Sequence, residues 1–440
     1  MCNKNLSPKV LVVSHNAFSP TGNMGKTLSD MLSCVDGENL AQLFFHNDKP
    51  HIDCKCKRYY RITDVNMVKS VFSRKGGYRI YTACDIEQAD NSKTGGKTET
   101  PNNLTHKIYQ FSRRRTPFIY TARNLLWNIG VWDTKQLDNW ISSFSPDVIF
   151  FACGDYAFAY KIVYKIAKKY NIPVVPWCCD DFYLRQLNAN QVFQKLVRAN
   201  LTKWAKKVFS LSHTVVTISD KMARDYAEKF GVKTELIRIS APQPHNDTAQ
   251  QREGIYYIGN LGVNRITPLT ELAKALHAAQ VDTLQHIHVY SAEKNEKTLQ
   301  MLQNTQGIVF HGAVPAQQVA QLQAKAKYLL HVEAFDQPSK NRTRYSLSTK
   351  IGEYLASGAC VAAFGPGDIA SMEYLNSNGA ALFSCTADGL VEKLAAAQSD
   401  AQIYTQTVKK GLATAQKHHS KETNTIKMEK VLSFSCGERE

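Results

Sequence analysis

Residues 348–358 read Ser-Thr-Lys-Ile-Gly-Glu-Tyr-Leu-Ala-Ser-Gly, and no other stretch of the chain predicts more about its fold. We expect a helix that begins close to Lys350. A helix start offers unpaired backbone N–H groups and the positive end of the helix dipole, so it binds phosphate readily. The hydroxyls of Ser348 and Thr349 and the ammonium of Lys350 add donors and positive charge. Glu353, one turn later, is negatively charged and does not suit a phosphate. Its carboxylate predicts a hydrogen-bond acceptor for sugar hydroxyls, such as those of a ribose.

The neighbouring sequence leaves two interpretations of this stretch. The apolar run Tyr328–Val332 predicts a strand, and the polar, basic residues after it predict a long loop that leads to the helix. In open parallel sheets, ligands bind outside the carboxyl ends of the strands, where this loop starts. The alternative is structural, because a serine or threonine followed by an early acid caps and stabilises any helix.

Composition bounds the class of protein. With 440 residues, 43% hydrophobic and 10% aromatic, the chain is long and apolar enough for two or three folded domains. Its formal net charge of +16 predicts an anionic partner, such as nucleic acid, an acidic membrane surface or a phosphorylated substrate. No apolar run is long enough to span a bilayer or to act as a secretion signal, so we expect a cytoplasmic protein.

The eleven cysteines do not follow the spacing of a structural zinc site. Cys54 and Cys56 lie near His51, and Cys178 adjoins Cys179, but neither group has the doubled Cys-x-x-Cys pattern. The cysteines are scattered and odd in number, as expected for reduced thiols. We therefore expect no metal and no bound cofactor.

Short apolar runs alternate with amphipathic runs along the whole chain, which predicts parallel sheets with helical crossovers. The strands predicted in the first half are Val10–His15, Asp147–Cys153, Pro173–Cys178, Thr214–Ser219 and Thr234–Ile239. The strands predicted in the second half are Ile255–Ile258, His286–Tyr290, Ile308–His311, Tyr328–Val332, Cys360–Phe364 and Ala380–Ser384.

The same pattern predicts where the domains begin and end. Residues Ser240–Gly254 are mostly polar, contain two prolines and predict an interdomain linker. Residues 88–106, rich in Asn, Thr, Lys and Gly, predict a mobile surface loop. The predicted parts of the chain are a first domain over residues 1–240, a second over 255–400 and a helical tail over 401–440.

The loop after the first predicted strand is close to a phosphate-binding loop without matching it. It reads His15-Asn-Ala-Phe-Ser-Pro-Thr-Gly-Asn-Met-Gly-Lys-Thr, and Pro20 stands where a P-loop has its first glycine. A nucleotide hydrolase with a P-loop is therefore the alternative. Our main prediction is a loop that cradles a substrate. Its candidate substrate-binding residues are Gly22, Asn23, Gly25 and Lys26.

Carboxylates and a histidine follow other strands of the first half. Asp180 and Asp181 end one strand, Asp155 follows the strand before it, and His15 follows the first strand. Such groups bind sugar hydroxyls, act as a general base or cap the next helix, and capping is the alternative for Asp155. We predict that Asp180 and Asp181 bind substrate hydroxyls or supply a base, and that His15 lies at the same substrate site. The alternative for His15 is a buried histidine whose hydrogen bonds are satisfied.

The second half opens with the sequence Tyr257-Ile-Gly-Asn-Leu-Gly-Val-Asn-Arg265, a strand that runs into a glycine-containing turn. Gly259 and Gly262 predict a tight strand-to-helix turn that includes Asn260, and Arg265 stands at the helix entrance. Taken alone, this is an ordinary turn between a strand and a helix. Together with the anion site predicted above, it indicates a two-sided clamp for a diphosphate.

A basic amphipathic helix is predicted between Phe193 and Leu211. Its apolar stripe is formed by Phe193, Val197, Leu201, Trp204, Val208 and Leu211, and its lysines and arginine fall mostly elsewhere. The favoured interpretation is an ordinary surface helix with the apolar stripe in the core and the lysines in solvent. A peripheral contact with anionic lipid is the alternative.

These motifs together resemble the GT-B fold glycosyltransferases, and among them the family-4 type that builds bacterial surface polysaccharides. The resemblance rests on the glycine-containing loop after the first strand, on the Tyr-Ile-Gly-Asn-Leu-Gly turn and, most specifically, on residues 348–358. It implies an α/β fold with two Rossmann-like domains that face each other across a cleft, followed by a C-terminal helical tail. The second domain would hold a nucleotide-sugar, and the first would hold the acceptor, with His15 and Asp181 at the reaction centre. The acceptor-binding candidates are Gly22, Asn23, Gly25, Lys26 and Asp180.

The resemblance also implies roles for individual residues. Arg265 and Lys350 would contact the donor diphosphate, Ser348 and Thr349 would bind its oxygens, and Glu353 would bind the ribose. The glycine turn with Asn260 would complete the donor site.

The sequence departs from the family pattern at one point. The family's two glutamates lie eight residues apart, whereas Glu333 lies twenty residues before Glu353, with residues 337–345 inserted. Glu333 or Asp336 then takes the place of the first glutamate, which faces the sugar. We include Glu333 among the catalytic candidates.

The implied reaction is transfer of a sugar from a nucleotide-diphospho-sugar to a glycan or a lipid-linked saccharide, with retained configuration and without a metal. Capsule, O-antigen or exopolysaccharide synthesis would be its setting, at the inner face of the membrane. Three alternatives stay open: a P-loop-like nucleotide hydrolase, a sugar-nucleotide epimerase on the same fold and a basic nucleic-acid-binding protein. The last lacks any known recognition motif.

Overall fold

Two separate sheets organise the chain in this computed structural model, which describes residues 8–20, 23–82, 85–86, 116–187, 191–243, 252–281 and 284–437. The chain divides into two compact units. The first unit comprises Met1–Thr217, Ala223–Ile237 and Thr425–Glu440, and the second comprises Ile218–Met222 and Arg238–Asn424. The residues that the sequence predicts as a separate tail are therefore divided between the two units, at Asn424 and Thr425. The predicted mobile loop at 88–106 lies outside the described residues.

Eight strands form the sheet of the first unit. They are β1 (Val10–Ser14), β2 (Leu40–Phe44), β3 (Arg58–Arg61), β4 (Arg79–Tyr81), β5 (Val148–Ala152), β6 (Val174–Cys178), β7 (Val215–Thr217) and β8 (Thr234–Leu236). Their order is β4-β3-β2-β1-β5-β6-β7-β8, and only the pair of β3 with β4 is antiparallel. The carboxyl ends of β1, β2, β5 and β6 therefore meet at one edge of the sheet.

Helices cover both faces of this sheet. Those built from the first part of the chain are α1 (Asn23–Met31), α2 (Asp64–Ser73), α3 (Pro117–Ile129), α4 (Lys135–Phe144), α5 (Ala157–Tyr170), α6 (Val192–Phe209) and α7 (Asp220–Phe230). Phe151 of β5 contacts Tyr160 of α5, whereas its neighbour Phe150 belongs to the opposite core cluster. Successive strand residues point to opposite faces, so α5 lies on the face away from that cluster.

Six parallel strands form the sheet of the second unit. They are β9 (Glu253–Ile258), β10 (Ile287–Tyr290), β11 (Ile308–Gly312), β12 (Ala326–Val332), β13 (Cys360–Phe364) and β14 (Leu382–Ser384). Their order is β11-β10-β9-β12-β13-β14, which places the ends of β9 and β12 side by side. A parallel sheet of this kind needs helical crossovers on its faces.

The remaining helices follow in chain order. They are α8 (Ile266–Ala279), α9 (Glu296–Asn304), α10 (Ala316–Lys325), α11 (Gln337–Thr343), α12 (Thr349–Ala356), α13 (Ala370–Ser377), α14 (Ala387–Ser399), α15 (Ala401–His419) and α16 (Lys421–Gly437). Met428, Val431 and Leu432 of α16 pack in the cluster that contains Phe150. Within the described part of the chain, no helix has both the length and the apolar character needed to cross a membrane.

The α/β fold class with two parallel-dominated sheets is confirmed. Every strand predicted from the sequence is present, with each end within three residues of its predicted position. The long loop predicted between Val332 and Ser348 is wrong in part, because α11 occupies its centre. Asp336 caps α11 by accepting a hydrogen bond from the Ser339 N–H at 3.0 Å.

The basic helix α6 buries only the second half of its apolar stripe. Leu201 and Val208 are buried, but Phe193 is 49% exposed. The prediction that Phe193 lies in the core is therefore wrong. The interpretation of α6 as an ordinary surface helix describes its last turns and not its first.

Gln42 fixes the loop after β1 from inside the fold. Its side chain is fully buried on β2, donates to Ser14 Oγ at 2.8 Å and to the Asn16 carbonyl at 3.0 Å, and accepts from the Phe18 N–H at 3.0 Å. A buried amide that satisfies three groups of one loop holds that loop in a single conformation. The loop that the sequence predicts at the acceptor is thus positioned by the neighbouring strand.

We expect Gln42→Leu to lower the free energy of unfolding by about 2–3 kcal/mol, because it leaves the buried N–H of Phe18 without an acceptor and removes the two hydrogen bonds that the amide donates. Urea denaturation measures this loss. The exposed Gln317 provides the control, and Gln317→Leu should change stability by less than about 0.5 kcal/mol. Equal stability of Gln42→Leu and the wild type would show that the amide does not hold the loop.

Candidate functional site

The start of α12 lies where the sequence predicts an anion site. Ser348 precedes the helix in an extended conformation, and its side chain makes no capping hydrogen bond. The structural alternative, in which this serine caps the helix, is therefore not realised. Thr349 is exposed and Ser348 is half-buried, so both hydroxyls are accessible at the positive end of the helix.

Lys350 packs its ammonium against the bare backbone of Gly259. A Cβ placed on Gly259 would lie only 1.6 Å from Lys350 Nζ, so any side chain at this position would displace the ammonium. Burial lowers the pKa of Lys350 to about 8, helped by the nearby positive charge of Arg265. Among the described residues, none accepts a hydrogen bond from the ammonium. The site therefore contains a half-buried cation that the carboxylates of Glu353 and Glu333 attract without forming an ion pair with it.

Arg265 and Glu333 form an ion pair beside this cation. Arg265 Nη2 donates to Glu333 Oε1 at 2.8 Å, and the carboxylate is almost completely buried. Burial raises the pKa of Glu333, while Arg265 and Lys350 oppose that shift. Its second oxygen, Oε2, is buried without a hydrogen-bond partner. One carboxylate oxygen at the end of β12 is thus available to a ligand.

His331 is a residue of this site that the sequence prediction missed. It is buried two positions before Glu333, and its Nε2 lies 3.8 Å from Glu333 Oε1 without a hydrogen bond. Burial and the charges of Arg265 and Lys350 lower the pKa of His331 to about 3, so its ring is neutral at physiological pH. Residues two apart on a strand share a face, which is the sequence signal that links His331 with Glu333.

The turn between β9 and α8 is tight, but its glycines are not the residues with left-handed backbone. The residues with left-handed backbone are Val263, with φ 60°, and Asn264, with φ 55°. A β-branched residue is rarely found there, so the turn is strained at Val263. Asn260 stabilises the turn by accepting from the Gly262 N–H at 2.9 Å. These residues bring Arg265 to the start of α8.

Tyr354 joins α12 to the end of β9. Its hydroxyl donates to the Ile258 carbonyl at 2.9 Å and accepts from the Ile258 N–H at 3.3 Å. On another side of α12, Gly352 packs against His419 so closely that a Cβ would lie 2.7 Å from the ring Nδ1. The helix that contains Lys350 is thereby held against the end of β9 and against α15.

Glu353 is held in place by a residue that the sequence prediction did not identify. Gln323 of α10 donates to Glu353 Oε2 at 3.3 Å, and Gln323 is itself buried. Glu353 also attracts the charge of Lys350. The structure thus brings together Gly259, Arg265, Glu333, Lys350 and Glu353. Asp336, the other candidate for the first glutamate, instead accepts from Asn264 Nδ2 at 2.8 Å and caps α11.

His15 lies at the carboxyl edge of the first sheet among polar and aromatic groups. Its ring centroid is 5.3 Å from that of His46 and 5.6 Å from that of Tyr156. His46 Nδ1 lies 2.5 Å from Asp48 Oδ1, and the guanidinium of Arg123 lies 4.0 Å from the centre of the Tyr156 ring. His15 is half-buried, so the ring is accessible at this edge. The ring therefore lies where a ligand at the strand ends would reach it.

The two acids at the end of β6 have different surroundings. Asp181 is buried, and its Oδ1 accepts from the N–H groups of Tyr183 and Leu184 and from the Tyr226 hydroxyl, all within 3.0 Å. These bonds assign it a structural task in the loop after β6, and its catalytic role stays a prediction. Asp180 is half-buried and accepts from the Asp181 N–H at 2.9 Å.

The predicted acceptor loop is described only in part. Gly22 lies outside the described residues, and of Asn23 only its place at the start of α1 is described. Gly25 is buried so closely against Ala17 and Ser19 that a Cβ would lie 2.5 Å from the Ala17 carbonyl oxygen. Lys26 is exposed. The roles of these residues in binding an acceptor stay predictions.

The geometry of the second unit suits an anionic ligand with hydroxyl groups. Lys350, Arg265 and the start of α12 supply positive charge, and Glu333, Glu353 and neutral His331 supply acceptors. In the described ranges, no three His, Cys, Asp or Glu side chains form a group that would hold a metal ion. Whether a metal takes part stays a prediction.

We expect Lys350→Met to be more stable than the wild type at pH 7, by roughly 3 kcal/mol, because it removes a buried charge. Below pH 8 Lys350 is protonated in both the folded and the unfolded chain, so the full free-energy cost of desolvating its charge lowers the stability of the wild type. Between pH 8 and the ordinary lysine pKa, the folded chain releases the proton first. Wild-type stability then rises and the advantage of the variant shrinks.

Urea denaturation at pH 7, 8, 9 and 10 measures this difference. The exposed Lys297 serves as the control, and Lys297→Met should show no such pH dependence. A Lys350→Met variant that is less stable than the wild type at pH 7 would contradict the assignment of an uncompensated cation.

We expect Arg265→Ala to lower the free energy of unfolding by about 3–5 kcal/mol, because it leaves the buried Glu333 carboxylate without its partner. Adding Glu333→Gln should restore part of the loss. The ion pair Lys325–Glu253 has the same 2.8 Å separation but lies in solvent, so Lys325→Ala should cost less than about 1 kcal/mol. Chemical denaturation of these three variants and of Glu333→Gln alone tests this, and additive effects in the double variant would contradict the coupling.

Two family models match the chain. The model for Glycosyltransferase Family 4 matches residues 95–242, and the model described as Glycosyl transferase-like matches residues 269–430. A search of curated proteins gave no match.

Solved glycosyltransferase structures share the fold of the chain. Sucrose-phosphate synthase from Thermosynechococcus elongatus has a TM-score of 0.59 and 12% identity, over 97% of this chain and 98% of that one. HepE from Anabaena, solved in complex with UDP, has a TM-score of 0.58 and 12% identity, over 97% and 100%. A glycosyltransferase from Rickettsia africae has a TM-score of 0.58 and 11% identity, over 98% and 99%. With the two family matches, this fold shows that the chain belongs to the family-4-type glycosyltransferases of the GT-B fold.

Proposed function

We propose that this glycosyltransferase takes its sugar from a nucleoside-diphosphate-sugar bound in the second unit. The observation that carries the proposal is the half-buried ammonium of Lys350, which lies against Gly259 at a helix start, beside Arg265, and forms no ion pair among the described residues. A diphosphate is the ligand that neutralises two such cations together. HepE was solved with UDP and with UDP-glucose, which supports a donor of this class for the present chain.

The negative charge that develops during the reaction lies close to the positive groups of the site. When the bond between sugar and diphosphate breaks, negative charge grows on the leaving phosphate oxygens. Lys350, Arg265 and the first N–H groups of α12 are fixed in place before the reaction, so they stabilise that charge without reorganisation. We propose that no metal is needed for this step and that, as in the family it resembles, the configuration at the sugar is retained.

The acids of the site would hold the rest of the donor. Glu353, oriented by Gln323, accepts hydrogen bonds from the ribose hydroxyls. The unpartnered oxygen of Glu333 and the neutral ring of His331 lie on the same face of β12 and would bind hydroxyls of the transferred sugar. Burying these groups without a ligand is costly, and ligand hydroxyls remove that cost.

We further propose that the acceptor is a glycan or a lipid-linked saccharide in the synthesis of a bacterial surface polysaccharide. His15, Asp180 and the loop after β1 would bind it at the carboxyl edge of the first sheet. A lipid-linked acceptor places the enzyme at the cytoplasmic face of the inner membrane, in contact with anionic lipid.

Calorimetric titration with UDP, GDP, ADP and CDP tests the donor site. We expect one of them to bind, and Lys350→Ala to weaken it about 100-fold, because a buried charge pair is lost. Glu353→Gln should weaken the nucleoside diphosphate about tenfold but leave inorganic pyrophosphate unaffected, since only the former has a ribose. Lys297→Ala serves as the control.

The proposal fails if the folded chain binds no nucleoside diphosphate. It also fails if Lys350→Ala binds as tightly as the wild type. Conversion of a nucleotide-sugar in the absence of any acceptor would favour an epimerase instead.

A further inference from the structure

A cavity of about 740 Å³ lies at the amino edge of the first sheet, away from the strand ends that carry His15 and Asp180. Strands β5 to β8 are parallel, so their amino ends lie together at this edge. The loops that precede three of them line the cavity, at residues 171–173, 210–213 and 231–233. Its volume is in the range of sites that bind small molecules.

The cavity is separate from the edge where the acceptor is proposed to bind. Helix α5 begins directly after Tyr156, which lies beside His15, and its last turns line the cavity through Ala167 and Lys168. Between the start of α5 and Lys168 the helix rises about 16 Å. A ligand in the cavity is therefore not a molecule that reacts at the carboxyl edge.

Three lysines surround this cavity, and the described residues that line it include no aspartate or glutamate. Lys168 lies in the last turn of α5, Lys206 in the last turn of α6, and Lys233 directly before β8. All three are exposed, and none forms an ion pair with a described residue. Lys169, the neighbour of Lys168, differs because its ammonium pairs with Asp138 at 2.6 Å. The three lysines thus leave positive charge at the cavity that no such pair neutralises.

Lysines in the last turn of a helix also have a structural explanation, because they stabilise the negative end of its dipole and bind its last carbonyls. At the end of α6 those carbonyls have other partners. The carbonyls of residues 206–209 all accept hydrogen bonds from residues 210–212, within 3.1 Å. Lys206 is therefore not needed to satisfy them, and Lys233 belongs to no helix.

An apolar wall lies beside the lysines. Phe209 and Phe230 both line the cavity, and their ring centroids are 5.0 Å apart in an edge-to-face arrangement. Phe230 also packs against Tyr183 and Tyr226, so three aromatic neighbours fix its ring. Phe230 and Leu211 are only half-buried, which leaves part of their apolar surface accessible. The cavity therefore combines a fixed apolar wall with exposed cations.

We propose that this cavity binds a nucleotide as a second ligand, distinct from the donor. Its phosphate groups bind the three ammonium groups, and its base lies against the ring of Phe230. Inorganic phosphate or a sugar phosphate uses only part of the cavity, because it leaves the apolar wall in water. A bilayer or a nucleic-acid duplex is excluded by shape, since neither can enter a cavity of this size.

Calorimetric titration of the full chain with Lys350→Ala tests the cavity, because this variant weakens nucleotide binding at the proposed donor site. The probes are ATP, inorganic triphosphate and glucose 6-phosphate. We expect ATP to bind at least about tenfold more tightly than either of the others, since only ATP covers the apolar wall and also reaches the lysines. Its affinity should fall as salt is added, because exposed charges are screened.

The lysines provide the second part of the test. In the same background, Lys168→Ala, Lys206→Ala and Lys233→Ala together should raise the Kd for ATP by about 30-fold or more, because three charge-assisted contacts are lost. Lys203→Ala is the matched control, since Lys203 is exposed on α6, three residues before Lys206, and does not line the cavity. All four substitutions change exposed side chains, so the melting temperatures should stay unchanged.

The cavity assignment is wrong if ATP does not bind the Lys350→Ala chain, or if the triple lysine variant binds ATP as tightly as its parent. Binding of triphosphate or glucose 6-phosphate as tight as that of ATP would also contradict it. The donor site is tested separately. In the otherwise wild-type chain, the three lysine substitutions should leave the nucleoside-diphosphate affinity of the donor site unchanged. If Lys350→Ala does not weaken that affinity, only the proposed donor site fails.

Discussion

The second unit depends on one constraint, the burial of Lys350 against a backbone that has no side chain. The ammonium occupies this place because residue 259 is glycine, and it stays charged at neutral pH only at a cost in stability. The surrounding residues remove only part of that cost, because Glu353 and Glu333 attract the ammonium while Arg265 repels it and takes the hydrogen bond of Glu333. A fold that keeps such a cation is prepared for a ligand that brings the missing negative charge.

Much of the second unit follows from the sequence, because its strands are short, apolar and buried on both faces. Periodicity therefore located all six strands and the helix start at Ser348. It did not locate α11, since Gln-Pro-Ser-Lys-Asn-Arg-Thr has no apolar stripe and is helical through its cap and its packing. It also could not show that Val263 and Asn264, rather than the glycines, adopt the left-handed backbone. His331 and Gln323 were missed because their roles depend on partners from other elements.

Several elements of the first unit were harder to predict than those of the second. The short strands β2, β3 and β4 escape a search for apolar runs, because β2 contains the buried Gln42 and β3 begins and ends with arginine. The place of Asp181 after a strand predicts a catalytic role, which stays a prediction, and did not predict that its carboxylate also organises a loop. Helical spacing alone likewise assigned Phe193 to the core, whereas the register between α5 and α6 leaves it in solvent. Tertiary contacts, which no local pattern contains, decide all of these cases.

The hydroxyl of Tyr354 has a consequence for attempts to exchange donor specificity between relatives. Because it bonds both the N–H and the carbonyl of Ile258, the helix that contains Lys350 and Glu353 is joined to the last residue of β9. A chimera that replaces only residues 348–358 would retain a foreign strand end beneath the new helix and misplace the lysine over Gly259. The smallest transplantable module is therefore discontinuous, and it combines that helix with the strand end and turn at residues 257–265.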